Sequence, residues 1–180
     1  LPVGQVFRHS LPRPPEEGVP SMPRACIEVI VDGPRGPIRV LNTHLEYYSR
    51  IQRMTQIAAL HTLQCDSVRL AAMDSPQEKS GDGQDSPFAY LPRPASAIVC
   101  GDFNDTPASY VYRKISRSLQ DCFLQAGRTW KGSYQRWGDF LRIDYTFCSP
   151  AFQVNRYLLI SNPWSDHKQQ HCVLYLDKCS

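Results

Sequence analysis

Ala95-Ser96-Ala97-Ile98-Val99-Cys100, followed by Gly101-Asp102-Phe103-Asn104-Asp105 and then Thr106-Pro107, is the stretch on which the fold turns. Its first part is a short apolar run bounded by turn residues, which reads as a buried strand. The middle part is polar and opens on glycine, so it reads as a turn. Thr106 followed by Pro107 supplies an N-cap and a first-turn proline, predicting a helix that reaches about Leu119. Strand, polar turn and helix together are the local unit of a chain that mixes both element types.

Working outward, Ala25 to Asp32 alternates with Ala25, Ile27, Val29 and Val31 on one face. Ile38 to Leu41 resumes after the turn Gly33-Pro34-Arg35-Gly36-Pro37, which predicts a strand hairpin. Ser49 with Gln52 three residues later has the form of a capping box. Ile51, Met54, Ile57, Ala58 and Ala59 follow at helical spacing, predicting one long amphipathic helix to about Met73. Residues 74–94 combine Ser, Gly, Asp, Gln and Pro without apolar periodicity and read as a mobile insertion loop. Downstream, Leu141 to Cys148, Val154 to Ile160 and His171 to Leu176 read as strands, with Ser149-Pro150 and Asn162-Pro163 at the turns. Strands joined partly by hairpins and partly by helices predict an α/β (α+β) chain, a mixed sheet with helices against one face.

At 180 residues, 42% hydrophobic and 21% charged, the chain is long and apolar enough to bury one core, which excludes disorder throughout. A net charge of +3 permits a phosphate-bearing partner but lacks the dense basic footprint of a dedicated nucleic-acid binder. The seven cysteines contain no CxxC pair and mostly lie in apolar runs. They read as buried free thiols, which with the lack of a basic-then-apolar leader predicts a cytoplasmic setting. No apolar run approaches the ~20 residues of a membrane span. Six prolines fall within residues 1–24, predicting an extended surface segment, and a start at Leu1 suggests a piece of something longer.

Four polar clusters lie at the ends of predicted strands. Asn42-Thr43-His44-Leu45-Glu46 follows the second strand of the hairpin; His44 there is either a site residue or a strand cap bonded to a carbonyl. In Gly101-Asp102-Phe103-Asn104-Asp105, strand alternation would send Asp102 and Asn104 the same way, so that one accepts a proton from water and the other donates to an oxyanion. The competing reading is a turn in which both bond their own backbone. Arg142-Ile143-Asp144-Tyr145 places Asp144 opposite Ile143 and Tyr145, where it orients a histidine or pairs plainly with Arg142. Ser165-Asp166-His167 supplies either a metal ligand beside a phosphate-polarising imidazole or a solvated turn. Together these groups suit phosphoester cleavage, which needs neutralised equatorial oxygens and an activated water. Hard oxygen ligands favour Mg²⁺ or Mn²⁺, and the absence of Cys/His spacing disfavours zinc.

In this order the four clusters resemble the endonuclease/exonuclease/phosphatase superfamily, over a span from about Arg24 to the C-terminus. The resemblance implies a sandwich of two packed mixed sheets flanked by helices. It implies that His44 stabilises the phosphate, that Asp102 and Asn104 position and activate water, and that Asp144 orients His167 toward the scissile phosphate. Asp166 would be a metal ligand, with Asp102 and Asn104 able to take part in a second metal position; Arg142 and Tyr145 would be supporting. Substrates within the family's range are nucleic acid, a phospholipid head group, or a sugar or inositol phosphate, and the NTHLE form points away from abasic-site repair.

One departure concerns the metal-binding Glu and the Asn that the family carries in an N-terminal half. No equivalent is evident, because Glu16 and Glu17 sit in the proline-rich stretch with no strand read before them. The chain is therefore expected to be a single partial domain holding the C-terminal portion of the fold. It would fold incompletely, self-associate through the exposed sheet, or be inactive alone, the longer protein being the enzyme. An interaction module without catalysis is the competing function, and a binding-only nucleic-acid module a third. Trp130, Tyr134, Trp137 and Phe140 either shape substrate choice by stacking or pack as a rim.

Overall fold

The computed structural model describes residues 1–72 and 94–176. The predicted 74–94 loop, apart from Pro94, and Cys179 lie outside the described residues. In chain order the elements are β1 (Val3–Ser10), β2 (Ala25–Gly33), β3 (Gly36–His44), α1 (Arg50–Ala72), β4 (Ala97–Asp102), α2 (Tyr110–Ile115), β5 (Gln120–Asp121), α3 (Cys122–Ala126), a 3-10 turn at Arg136–Asp139, β6 (Asp144–Cys148), β7 (Phe152–Ile160) and β8 (Gln169–Leu176). The first six strands in sequence form one sheet in the order β1-β2-β3-β4-β6-β5, and β7-β8 form a second. Among the described strands only β3 and β4 run parallel, which α1 makes possible by crossing between them.

Alternation along the strands separates two cores. Cys26, Leu41, Ala97, Val99, Tyr145 and Phe147 point to the face covered by α1 and α2, where Ile57, Leu60, Val111 and Ile115 meet them. Ile38, Ile98 and Cys148 point to the opposite face and pack with Phe152, Tyr157 and Leu174 of the second sheet. The result is helices, sheet, sheet: the mixed sheet that the sequence predicts, packed on a second sheet in the sandwich that the resemblance implies. Phe103, fully buried where β4 ends, meets Tyr145 and Phe147 edge-on at 5.5 and 5.7 Å, so truncating it to Ala would cost ~3–5 kcal/mol.

Several local readings change. A strand, β1, lies inside the proline-rich 1–24 segment and precedes Glu16 and Glu17; its pairing with β2 was hidden because its flanking prolines dominate the composition. The rest of that segment is pinned by α1: Gln52 and Gln56 donate to the carbonyls of Pro14 and Pro12 at 3.0 and 3.2 Å. Proline has no N–H to give, so its carbonyls are what glutamines can hold. Gln52 thereby completes only half a capping box. Its backbone N–H bonds the Ser49 hydroxyl at 2.9 Å, but its side chain is turned away to Pro14 and Ser21. The second helix begins at Tyr110 with Ser109 as N-cap, not at Thr106, because Asp105 and Thr106 belong to the turn after β4. The strand predicted from Leu141 begins at Asp144.

Candidate active site

The sheet register assembles the site. His44, last residue of β3, is the lateral partner of Asp102 on β4, and Asp102 is the partner of Asp144 on β6. Three residues far apart in sequence thus form one row across three adjacent strands. Gly101 makes the row possible: at φ +135° its backbone approaches β3 so closely that a Cβ would sit 1.8 Å from the Thr43 carbonyl oxygen. Behind the row, Arg53 donates to the carbonyls of Glu46 and Tyr47 at 2.9 Å and lies 3.2 Å from Asp105, tying the two strand ends together.

His167 joins from the connection between β7 and β8. Its Nδ1 lies 2.9 Å from Asp144 Oδ2, and its Nε2 lies 3.9 Å from Asp102 Oδ2. His44 Nε2 lies 3.5 Å from the same Asp102 oxygen. Among the described residues, Asp102, Asp144 and His167 are the one group of metal-competent side chains, with ligand atoms within 4.8 Å of one another. Two carboxylates and an imidazole fit a divalent cation by their chemistry. Beside them opens a cavity of roughly 410 Å³, lined in part by Cys100, Asp102, Asp144, Thr146 and Lys168.

Charge in this row is unbalanced. Burial, and then the neighbouring Asp144, push the Asp102 carboxyl up to about 6, against the pull of the Asn104 N–H, His167 and Arg24. Burial would lower His167, but its hydrogen bond to Asp144 and the charges of Asp144, Asp102 and Asp166 outweigh that and raise it. Burial lowers His44, reinforced by Arg24 and His167. Arg24 is a cation beside the row that sequence reading missed; it lies within the prolines, far from any cluster. Its own guanidinium is 3.4 Å from Glu46.

The remaining candidates are placed as follows. Asn104 is not on a strand, since β4 ends at Asp102 and Asn104 has φ +50°. Strand alternation therefore does not orient it. Its N–H bonds Asp102 Oδ1 at 2.8 Å, as the turn reading has it, and its amide donates to the Leu45 carbonyl at 2.8 Å. Asp166 stands apart from the three-residue group, its carboxylate 3.3 Å from Arg136. Arg142 does not pair with Asp144. It bonds Asp121 at 2.6 Å and stacks over Phe123 at 4.6 Å and Tyr145 at 4.7 Å, inside the core. Glu46 is structural: Tyr47 and Tyr48 N–H groups bond it at 2.9 and 3.0 Å, and these with the Met22 N–H and Arg24 lower its carboxyl although burial opposes them.

Of the aromatics, Tyr134 packs edge-on against the His167 ring at 5.0 Å. Trp130 and Phe140 are exposed, and the Trp137 side chain falls outside the described part of the structure.

Residues 66–167 match the family model described as the Endonuclease/Exonuclease/phosphatase family. No curated protein matches the chain. Among solved structures, the chain is similar to an endonuclease/exonuclease/phosphatase family protein of Bacteroides thetaiotaomicron, with a TM-score of 0.73 and 18% identity, covering 98% of this chain and 66% of that one. A mannosyl-6-phosphatase of the same organism gives a TM-score of 0.70 and 19% identity, covering 97% and 67%. The human Nocturnin catalytic domain with bound sulfate gives 0.65 and 18%, covering 98% and 60%. The chain thus spans about two thirds or less of the length of these structures.

Proposed function

From the premise that this chain belongs to the endonuclease/exonuclease/phosphatase family, we propose that it carries the reaction centre of a divalent-metal-dependent hydrolase, one that cleaves phosphodiester or phosphomonoester bonds by attack of water. The observation that carries the reading is the row His44, Asp102 and Asp144 met by His167, because it gathers a base, an oriented imidazole and unbalanced carboxylates at one strand end.

In this reading Asp102, with its carboxyl near 6, takes the proton of the attacking water, and Asn104 fixes the turn that presents Asp102. Asp144 accepts from His167 Nδ1–H and so aims Nε2–H at a phosphate oxygen. His44 donates to the phosphate from the other end of the row. Asp102 and Asp144 would hold the cation, Mg²⁺ or Mn²⁺, with Asp166 reaching it only on leaving Arg136. A bound divalent cation supplies neutralisation of the phosphate's negative charge. The substrate is a phosphate ester among nucleic acid, phospholipid head group and sugar or inositol phosphate. Six free cysteines among the described residues favour a reducing compartment such as the cytoplasm, and no described helix is long and apolar enough to cross a membrane.

One observation favours the second reading, an interaction module without turnover: Glu16, Glu28 and Glu46 are all engaged elsewhere, by Ser49, Arg39 and backbone N–H groups. Self-association through β8, where Val173 and Tyr175 are exposed, belongs with that reading. The test is hydrolysis of bis(p-nitrophenyl) phosphate with and without Mg²⁺ or Mn²⁺, by this chain and by a version extended at its N-terminus. Asp102→Ala and His167→Ala should each abolish metal-dependent turnover. Retained activity in either variant defeats the site assignment, and silence of both chains with every metal favours the interaction module.

A further inference from the structure

Asp144 and His167 belong to different layers. Asp144 opens β6 in the large sheet, whereas His167 precedes β8 in the small one. Their 2.9 Å contact therefore depends on how the two layers are registered. Thr146 and Gln170 meet at 2.7 Å further along the same strands, but at the site itself the link runs through residues 131–142.

Ser133 is central to that segment and is fully buried. Its hydroxyl oxygen accepts the N–H groups of Ile143 and Asp144 at 3.1 and 2.9 Å, and its carbonyl accepts the Lys168 N–H at 2.7 Å. One residue thus bonds Asp144 itself on one side and the neighbour of His167 on the other. The Lys168 side chain, 2% exposed, then closes the segment on itself: Nζ lies 3.0 Å from the Gly132 carbonyl and 3.0 Å from Asp139 Oδ2. A lysine this buried is sustained only by such partners. The closure is tight. A Cβ on Gly132 would lie 2.1 Å from the Leu141 carbonyl oxygen, and Asp139 is held at φ +65°. Gln135 adds a further bond from its N–H to the Asp166 carbonyl at 2.7 Å.

We propose that Ser133 and Lys168 are positioning residues for the Asp144–His167 pair, Ser133 as the joint shared by both layers and Lys168 as the tie that keeps the joint closed. This rests on the hydrolase reading only for what the pair is used for; the joint itself is a statement about geometry. Neither residue touches the reacting atoms. Their effect reaches catalysis through the imidazole, whose misplacement by a fraction of an ångström lowers the chemical step without weakening substrate binding.

The test uses proton NMR of the metal-free chain. A low-field resonance of the His167 Nδ1 proton is expected, assigned by its disappearance in His167→Gln. In Ser133→Ala and Lys168→Met it should broaden away or exchange faster. Ser149→Ala is the control: Ser149 is likewise buried and bonds the Ala97 N–H at 2.8 Å, but away from the site, so it should lower the melting temperature and leave the resonance intact. Where the wild-type chain turns over, kcat in the two variants should fall about tenfold or more with KM little changed. Resonance lost in both variants while neither the wild-type chain nor its N-terminally extended version turns over with any metal supports the joint and removes the hydrolase reading. The joint is overturned by a resonance unaffected in both variants, by equal loss in Ser149→Ala, or by no such resonance in wild type.

Discussion

Two ionic groups sit in the same sheet and behave oppositely. Beneath α1, His9 on β1, Glu28 on β2 and Arg39 on β3 form a chain in which Glu28 receives His9 at 2.6 Å and Arg39 at 2.5 Å, both Glu28 and Arg39 being fully buried. Arg39 also donates to the Leu63 and Gln64 carbonyls at 2.9 and 3.5 Å, so every charge is answered within the protein. At the other end of β3 and β4, Asp102 and Asp144 are lateral partners of the same sign, half open to a cavity. The first group needs nothing more; the second needs a cation or a proton. Burial makes both expensive, and only the sign pattern separates a structural ion pair from a site.

The largest effect should come from breaking the satisfied group. Arg39→Met takes the guanidinium away from the buried Glu28 carboxylate and should cost ~3–5 kcal/mol in urea unfolding. A loss under ~1 kcal/mol would mean that the buried pair is not maintained in solution. At the unsatisfied end the effect should reverse. Mg²⁺ or Mn²⁺ at a hundredfold excess over its Kd should stabilise the wild type by ~2.7 kcal/mol, and this gain should vanish in Asp102→Asn/Asp144→Asn. An unmoved melting temperature in every divalent cation would refute the metal site.

Without metal, Asp102→Asn should itself stabilise the chain above pH 6 by ~1–2 kcal/mol, the full shift of the carboxyl being discounted for its contact with solvent. The sign follows from protons: folded Asp102 titrates at about 6 rather than the ordinary 3.8, so the folded state holds its proton more tightly and the wild type loses stability as pH rises between those values. His167, raised above 6.5, acts in the same direction at higher pH: its contribution is complete below 6.5 and is lost as pH climbs through the raised value. A flat wild-type profile from pH 4 to 7 would contradict both. Smallest should be Ser109→Ala, which removes the α2 cap bond to the Tyr112 N–H at 3.1 Å and costs ~1 kcal/mol, additively with Arg39→Met because the two share no partner.

Much of the fold was legible because period and punctuation survive in one dimension. The hairpin from Ala25, the α1 cap at Ser49 and the buried strand before Gly101 all follow from alternation and turn residues. What failed was local competition: Thr106-Pro107 has the form of a helix start, yet Asp105 bonds the Thr106 N–H and delays the helix to Ser109. β1 was illegible because its evidence is its partner, β2. At the candidate site, His44, Asp102, Asp144 and His167 could be named as candidates from their positions at strand ends. Arg24, Ser133 and Lys168 could not, since each has an ordinary neighbourhood in sequence and acquires meaning only across layers.

By itself, then, the sequence determined which side chains stand at strand ends and which faces are apolar, because these depend on periodicities of two and 3.6 residues along one chain. The tertiary structure alone decided that Asp102 lies beside Asp144, that Asp144 meets His167 and that Arg142 serves the core instead. Those are matters of sheet register and layer packing, set by hydrogen bonds between residues with no sequence proximity, and burial acts on charge only after they form.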